Sequence, residues 1–238
     1  MLKDFRTDLS RKDYAMKISI LSICPEQFGD FLKTPLIARA VADNRLEIEI
    51  KDIRDFADGC FRKVDDSPYG GGAGMILRCQ PVLDALDAVR TEKSRVILLA
   101  PIGKTFSQQD ARRLSEETHL IFLCGHYEGM DARIYPFADE ILSIGDYVLT
   151  GGELPAMVIT DSVMRLVQGS IKAESLTEES FENGLLEYPQ YTRPADYNGQ
   201  KVPEVLLSGN HRAIREWRRQ KALEVTKERR PDLLKTIE

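Results

Sequence analysis

The sequence has few of the residues that build metal centres and disulfide frameworks. Four cysteines and three histidines are spread over 238 residues, and no two cysteines form a C-x-x-C pair. This argues against a zinc site or a disulfide framework. We expect each cysteine to be a small core residue, above all Cys124, which ends the apolar run LIFLC. His126 and His211 have no cysteine or carboxylate at ligand spacing along the chain, which predicts that the protein alone holds no metal.

Long hydrophobic runs are also missing. No apolar stretch approaches the roughly 18 residues of a membrane-spanning helix, and the N-terminus carries mixed charges where a secretory signal would be apolar. We therefore expect a cytoplasmic protein with no membrane partner. Residues 1–15 are polar and precede a second methionine, Met16. We treat them as an N-terminal extension, native or artificial, and leave them out of the fold prediction.

Charge is distributed unevenly along the chain. The formal net charge is −5, but residues 193–238 contain 11 Lys and Arg against 7 Asp and Glu, which gives +4 there and leaves −9 for residues 1–192. A basic C-terminal part on an acidic body is typical of a protein that holds RNA with one part. A solvated helical face with scattered charges explains the same numbers more simply.

Apolar, strand-like runs alternate with helical periods after Met16. Strands are predicted at 16–23, 46–53, 95–101, 120–125 and 140–145. Helices are predicted at 80–89, 108–117 and 129–137, from Leu154 to about Val167, and, with a basic face, at 211–230. This alternation predicts an α/β fold with a mainly parallel sheet and flanking helices.

Composition divides the chain into parts. Residues 16–170 hold the α/β alternation and form the predicted ligand-binding domain. Residues 171–183 are polar, acidic and rich in turn formers, which predicts a flexible linker. Residues 184–238 contain three early prolines and then the basic helix, which predicts a small helical domain.

Three predicted loops follow apolar strands, at 100–104, 124–131 and 143–152. Ligands of parallel sheets bind beyond the carboxyl ends of the strands. In the third loop Gly145, Gly151 and Gly152 lack a Cβ, so the backbone there can adopt positive φ or lie directly against a ligand. We therefore predict one pocket built from all three loops, although ordinary turns would explain any one of them alone.

The glycine-rich segment YGGGAGM at 69–75 is a weak signal. It lacks the GK[ST] ending of a P-loop and the G-x-G-x-x-G spacing of a dinucleotide fold. We interpret it as a flap near the pocket or a simple turn. The same missing fingerprint makes a nicotinamide-dependent dehydrogenase a remote alternative, suggested only by the α/β alternation and the glycine loops.

Five separated blocks carry a family resemblance: PYGGGAGM, CGHYEGMDAR, SIGDYVLTGGELPA, GLLEYPQYTRP and LLSGNHRAIREWR. Together they resemble the bacterial tRNA (guanine-N1)-methyltransferases of the SPOUT superfamily. The resemblance implies a trefoil-knotted sheet domain, a homodimer, and methyl transfer from S-adenosylmethionine to N1 of the guanine 3′ of the tRNA anticodon (position 37). It also implies dependence on Mg²⁺, whose site the sequence does not identify.

The resemblance also assigns the cofactor site, with backbone groups of residues 144–149 recognising adenine. The implied cofactor residues are Pro101, Gly125, Tyr127, Glu128, Gly129, Ser143, Ile144, Gly145, Asp146, Tyr147, Val148, Leu149, Gly151 and Gly152.

Methylation at guanine N1 requires a base for the N1 proton and a positive group near O6. Arg165 matches the family's arginine and is implied to stabilise O6. The family has aspartate just before the SF of the linker, where this chain has Glu179, and Glu178 or Glu182 could substitute. Because the base is altered, the second hypothesis is an RNA-binding module that keeps the pocket but lacks catalysis. A merely solvated acidic linker is the simplest alternative.

The basic helix is the predicted tRNA contact. Its implied phosphate-binding residues are His211, Arg212, Arg215, Arg218 and Arg219. His211 and Trp217 could offer stacking surfaces, but for Trp217 we favour a role in the core of the small domain.

Overall fold

The computed structural model describes residues 16–171 and 178–236. The chain divides into two compact units, residues 1–171 and 172–238. The predicted linker 171–183 lies partly outside the described residues; residue 171 belongs to the first unit and residues 178–183 to the second. Within the described ranges, no helix has the length and apolar character needed to cross a membrane.

A five-stranded sheet, parallel in every pairing, forms the centre of the first unit. This confirms the predicted α/β class. In chain order its strands are β1 (Met16–Ser22), β2 (Leu46–Asp52), β5 (Ser94–Thr105), β6 (His119–Cys124) and β7 (Glu140–Ser143). They lie side by side in the order β2-β1-β6-β5-β7. Two short strands, β3 (Asp65–Asp66) and β4 (Ile76–Leu77), pair antiparallel outside this sheet.

Helices cover both faces of the sheet and divide the core in two. The helices are α1 (Pro35–Ala42), α2 (Cys79–Val89), α3 (Gln108–Leu114) and α4 (Glu153–Leu166). Along β6, Leu120 and Phe122 pack with α1, α3 and α4, whereas Ile121 and Leu123 pack with α2 on the other face. A strand buried on both faces is apolar throughout, which is why LIFLC has no polar alternation.

The second unit is built around one long helix. Its elements are the hairpin strands β8 (Asp196–Tyr197) and β9 (Gln200–Lys201), α5 (Glu204–Leu207) and α6 (His211–Arg229). The side chain of Asn210 caps α6 by accepting from the amide of Ala213 at 3.2 Å. The hydroxyl of Thr226, which is fully buried, accepts from the amide of Leu186 at 2.8 Å. The segment before the hairpin is therefore fixed against α6.

Short 3₁₀ helices complete the described part of the chain. They span Pro25–Phe28, Phe31–Lys33, Ile53–Phe56, Ala132–Phe137 and Pro231–Thr236.

Three local predictions were wrong. The loop expected at 100–104 is strand, because β5 continues to Thr105 and its pairing with β7 shifts register between Leu99 and Lys104. The helix expected at 129–137 is only the 3₁₀ turn Ala132–Phe137, which contains Pro136, a residue without a backbone N–H. Cys60 is exposed and not a core residue, whereas Cys124 is buried as predicted.

Candidate active site

A cavity of about 350 Å³ lies where three chain segments meet. The segments are the middle of β5 and the stretches that follow the carboxyl ends of β6 and β7, and β5 lies between β6 and β7 in the sheet order. Its wall is formed by residues 98–102, 125–130, 142–145 and 147–152, together with Tyr135 and Pro155. This is the edge of a parallel sheet at which ligands bind.

Thirteen of the fourteen cofactor residues implied by the resemblance line this cavity, and Asp146 does not. Sequence reasoning missed Leu98, Leu99 and Leu142, wall residues that belong to β5 and β7. All three are also buried in the hydrophobic core. An apolar strand residue that serves the core gives no separate signal of a pocket.

The third loop crosses the second one at very short range. The amide of Gly152 donates to the carbonyl oxygen of Gly125 at 2.7 Å, and Gly151 forms an antiparallel bridge with His126. A Cβ on Gly152 would stand 2.6 Å from the Cα of Cys124. The absence of side chains at Gly151 and Gly152 therefore allows the two loop backbones to touch at the cavity wall.

Residues 143–147 are held by hydrogen bonds within the loop itself. The hydroxyl of Ser143 accepts from the amide of Gly145 at 3.2 Å and donates to its carbonyl oxygen at 3.0 Å. The hydroxyl of Tyr147 donates to the carbonyl oxygen of Ile144 at 3.1 Å. Gly145 has φ +150°, a conformation that favours glycine. The loop is thus shaped by its own sequence.

The glycine-rich segment 69–75 reaches the cavity wall. The amide of Glu128 donates to the carbonyl oxygen of Met75 at 3.0 Å. Gly74 has φ +81°, and a Cβ there would stand 2.5 Å from the Cγ of Glu128. The segment therefore lies directly against the second loop.

In the folded chain a cysteine and a carboxylate lie near His126, although both are distant from it in the sequence. Cys24 follows β1, and Glu153 is the first residue of α4. The donor atoms of the three residues lie within 4.8 Å of one another. Burial raises the pKa of the Cys24 thiol, and the nearby charge of Glu153 raises it further. The separation of these residues along the chain concealed the cluster.

The two predicted catalytic residues lie in different units. Arg165 is half-buried in the last turn of α4, in the first unit. Glu179 is half-buried in the second unit, where it lines a cavity of about 390 Å³ together with Arg215 and Arg219 of α6.

Glu178, an alternative base, is held by two donors. The hydroxyl of Tyr188 lies 2.5 Å from its carboxylate, and Arg218 donates to the same oxygen at 3.1 Å. Burial, together with the hydrogen bond to Glu178, raises the pKa of Tyr188 to about 12. These contacts anchor the residue directly before Glu179.

The predicted tRNA-contacting residues differ in exposure. His211, Arg212, Arg215 and Arg219 are exposed on α6. Arg218 is half-buried, and its guanidinium lies 4.7 Å from the centroid of the Tyr188 ring. Trp217 is also half-buried and packs at a tilt against Tyr191, with 6.3 Å between ring centroids.

Known proteins match the chain over almost its whole length. The family model described as tRNA (Guanine-1)-methyltransferase TrmD matches residues 16–236. A tRNA (guanine-N(1)-)-methyltransferase of Clostridium beijerinckii is 54% identical over 224 residues, which are 93% of this chain and 93% of the relative. A protein of the same name from Lactobacillus delbrueckii subsp. bulgaricus is 54% identical over 92% of this chain and 89% of its own length. Another from Listeria welshimeri is 52% identical over 92% of each chain. The chain therefore belongs to the tRNA (guanine-1)-methyltransferase family of the SPOUT superfamily.

Proposed function

We propose that this chain is a cytoplasmic enzyme that transfers a methyl group from S-adenosylmethionine to N1 of the guanine 3′ of the tRNA anticodon, position 37. The observation that carries the proposal is the cavity of about 350 Å³ built by residues 98–102 of β5 and by the loops that follow β6 and β7. Family membership supplies the reaction class, and the cavity supplies a place for the donor.

The cavity suits the donor in size and in lining. Its volume of about 350 Å³ falls in the range of small-molecule sites. Leu99, Leu142 and Pro155 offer apolar surface, while glycines 125, 151 and 152 keep backbone close to the space. These residues would bind and orient the donor, which when bound supplies an activated methyl group on its sulfonium.

The protein's own chemical task concerns the guanine. Its N1 carries a proton, so a base must remove that proton before N1 can act as a nucleophile. We assign this role to Glu179. We assign to Arg165 the stabilisation of the negative charge that develops on O6 as the proton leaves. Magnesium dependence stays a prediction, checked by adding a chelator to the assay.

The decisive experiment measures where a labelled methyl group goes. The full chain is incubated with methyl-labelled S-adenosylmethionine and a tRNA transcript that has guanine 3′ of the anticodon. Label should appear at N1 of that guanine, which also stops primer extension because N1 lies on the pairing edge. A matched transcript with adenine at that position should stay unlabelled. Folded protein that leaves the guanine transcript unlabelled would contradict the proposal.

Three glutamates distinguish catalysis from mere RNA binding. Glu179→Gln should lower the single-turnover rate at least about a hundredfold, the usual contribution of a general base, with unchanged tRNA affinity. Glu178→Gln and Glu182→Gln are matched controls on either side and should retain more activity. Equal rates for Glu179→Gln and the native chain would favour a different base or the non-catalytic RNA-binding alternative.

We also propose that the enzyme is a homodimer with a trefoil knot, in which base and donor belong to different subunits. Glu179→Gln lacks the base but keeps the cavity, whereas Gly152→Ala keeps the base but damages the cavity. Unfolding the two variants together and refolding the mixture should restore about a quarter of native activity, as expected for random mixing of two-site dimers. No recovery in a mixture shown to contain heterodimers would place base and donor in one subunit.

A further inference from the structure

A mixed cysteine, histidine and carboxylate cluster lies beside the cofactor cavity. Cys24 Sγ, His126 Nδ1 and a carboxylate oxygen of Glu153 lie within 4.8 Å of one another. The residues come from the end of β1, the second loop and the first turn of α4. The tertiary fold, and not a local turn, therefore brings three different metal-binding groups together.

One of these groups lacks the hydrogen-bond partner that a buried polar atom normally has. His126 Nδ1 is buried and has no hydrogen-bond partner among the described residues. Oε2 of Glu153 lies 3.7 Å from it, which is too long for a hydrogen bond. Glu153 is only 2% exposed. A buried imidazole nitrogen normally has a partner, and a cation held between His126 Nδ1 and the carboxylate of Glu153 would supply one.

Gly151 leaves the gap between these two atoms open. A Cβ at this position would stand 2.1 Å from Oε2 of Glu153 and 2.7 Å from Nδ1 of His126. Any other residue would therefore place a side chain against both donor atoms.

Ser22 fixes two of the three ligand-bearing segments. Its buried hydroxyl donates to Oε1 of Glu153 at 2.6 Å and accepts from the backbone amide of Cys24 at 2.8 Å. Hydrogen bonds of this kind orient the ligands of protein metal sites. They leave Oε2 of Glu153 directed toward His126 and hold Cys24 close to it.

We propose that Cys24, His126 and Glu153 bind a thiophilic divalent cation, represented by Zn²⁺, with a fourth position taken by water. Thiolate, imidazole and carboxylate are the ligands of zinc sites, and three protein ligands with one open position are common there. Mg²⁺ prefers oxygen ligands and retains its water. The proposed site is therefore separate from the magnesium dependence implied by the family resemblance. Binding sends the thiol proton of Cys24 to solvent, so affinity should rise with pH.

The test uses Co²⁺ as a spectroscopic substitute for Zn²⁺ on the full chain after removal of metal by chelation. Thiolate ligation should give a sulfur-to-cobalt charge-transfer band that saturates at one Co²⁺ per chain. Zn²⁺ should abolish the band, and Mg²⁺ should not. The band should be lost in Cys24→Ser and kept in Cys60→Ser, a control at an exposed cysteine outside the cluster.

A second variant keeps the test decisive if Cys24→Ser does not fold. Glu153→Gln retains an acceptor for Ser22 and nearly the same volume, and should weaken Co²⁺ affinity at least about tenfold. Zn²⁺ should raise the unfolding temperature of the native chain and of Cys60→Ser. Absence of a band in the native chain, a band that survives in folded Cys24→Ser, or one that Cys60→Ser removes would overturn the proposal.

Discussion

The amide of Gly152 donates a 2.7 Å hydrogen bond to the carbonyl oxygen of Gly125, and this bond joins the loop after β7 to the loop after β6. It lies directly before α4, whose first residue is Glu153. Both glycines also line the cavity of about 350 Å³. The crossing of the two loops therefore determines the shape of the cavity and the start of the helix that carries Arg165.

Adding a single methyl group at this crossing should damage stability and cofactor binding together. In Gly152→Ala the new Cβ would stand 2.6 Å from the Cα of Cys124 and 2.9 Å from the amide nitrogen of Gly125. Both neighbours are backbone atoms and cannot turn aside. We expect a loss of about 1–3 kcal/mol in the free energy of unfolding, measured with urea, and weaker S-adenosylmethionine binding by calorimetry.

Gly29→Ala is the matched control for this substitution. Gly29 has φ −56° and ψ −44°, and a Cβ there would meet nothing closer than the carbonyl oxygen of Glu26 at 3.5 Å. Its stability should be unchanged or slightly higher, because alanine restricts the unfolded chain. Equal stability of the two variants would show that the crossing tolerates a side chain.

The arginines of α6 should separate into two classes. Arg212 and Arg215 are exposed, so replacing either with alanine should weaken tRNA binding. Each replacement should reduce the slope of log affinity against log salt by up to about 1 and leave stability unchanged. Arg218 packs on Tyr188 and pairs with Glu178. Arg218→Ala should therefore cost about 0.5–1 kcal/mol of stability.

Filter binding over a salt series and thermal unfolding of the same samples measure both quantities. The division of the arginines into two classes would be wrong if Arg218→Ala lowered the salt slope as much as Arg212→Ala and left the unfolding temperature at the native value.

The parallel sheet and the position of the cavity could be predicted because strands buried on both faces are continuously apolar. Along β6 consecutive residues such as Ile121 and Phe122 enter opposite cores, so the run contains no polar residue. Short apolar runs that alternate with helical periods indicate an α/β sheet, and the loops beyond their carboxyl ends are the expected ligand sites.

Features that depend on strand order could not be predicted. Cys24 approaches His126 because β1 and β6 are neighbours in the sheet, and Glu153 approaches it because the loop after β7 pairs with the loop after β6. The alternation of strands and helices along the sequence determines neither contact. β5 continues past Leu99 because β7 lies beside it. The local sequence APIGK indicates a loop, and a distant partner overrides that tendency.

The hydroxyl of Tyr188 should matter for catalysis because it anchors the residue next to the proposed base. Tyr188→Phe removes the hydrogen bond to Glu178 but keeps the ring on which Arg218 packs. We expect a loss of about 1 kcal/mol in stability and slower single-turnover methyl transfer, with native affinity for S-adenosylmethionine. Tyr197→Phe, at an exposed tyrosine of β8, is the control and should behave as the native chain. A native methyl-transfer rate for Tyr188→Phe would show that the hydrogen bond to Glu178 does not position Glu179.

His119 is buried between the hydroxyls of Ser19 and Ser94. The hydroxyl of Ser19 donates to Glu49 at 2.7 Å, so its oxygen is left to accept from Nε2 of His119 at 2.8 Å. Ser94 lies 2.8 Å from Nδ1 and can donate to it only when that nitrogen is unprotonated. Burial lowers the pKa of His119, and the charge of Lys17 lowers it further.

Stability should therefore fall in mild acid. The unfolded chain takes up a proton at His119 near the ordinary pKa of about 6.5, whereas the folded chain does so only at lower pH. The stabilising contribution of neutral His119 is fully present above pH about 6.5. It is lost as the pH falls from there through the lowered pKa of the folded state, because the unfolded state then binds more protons. Urea unfolding across this range should give a smaller pH slope for His119→Gln than for the native chain, whatever the absolute stability of the variant. Identical slopes would assign the acid sensitivity to other groups.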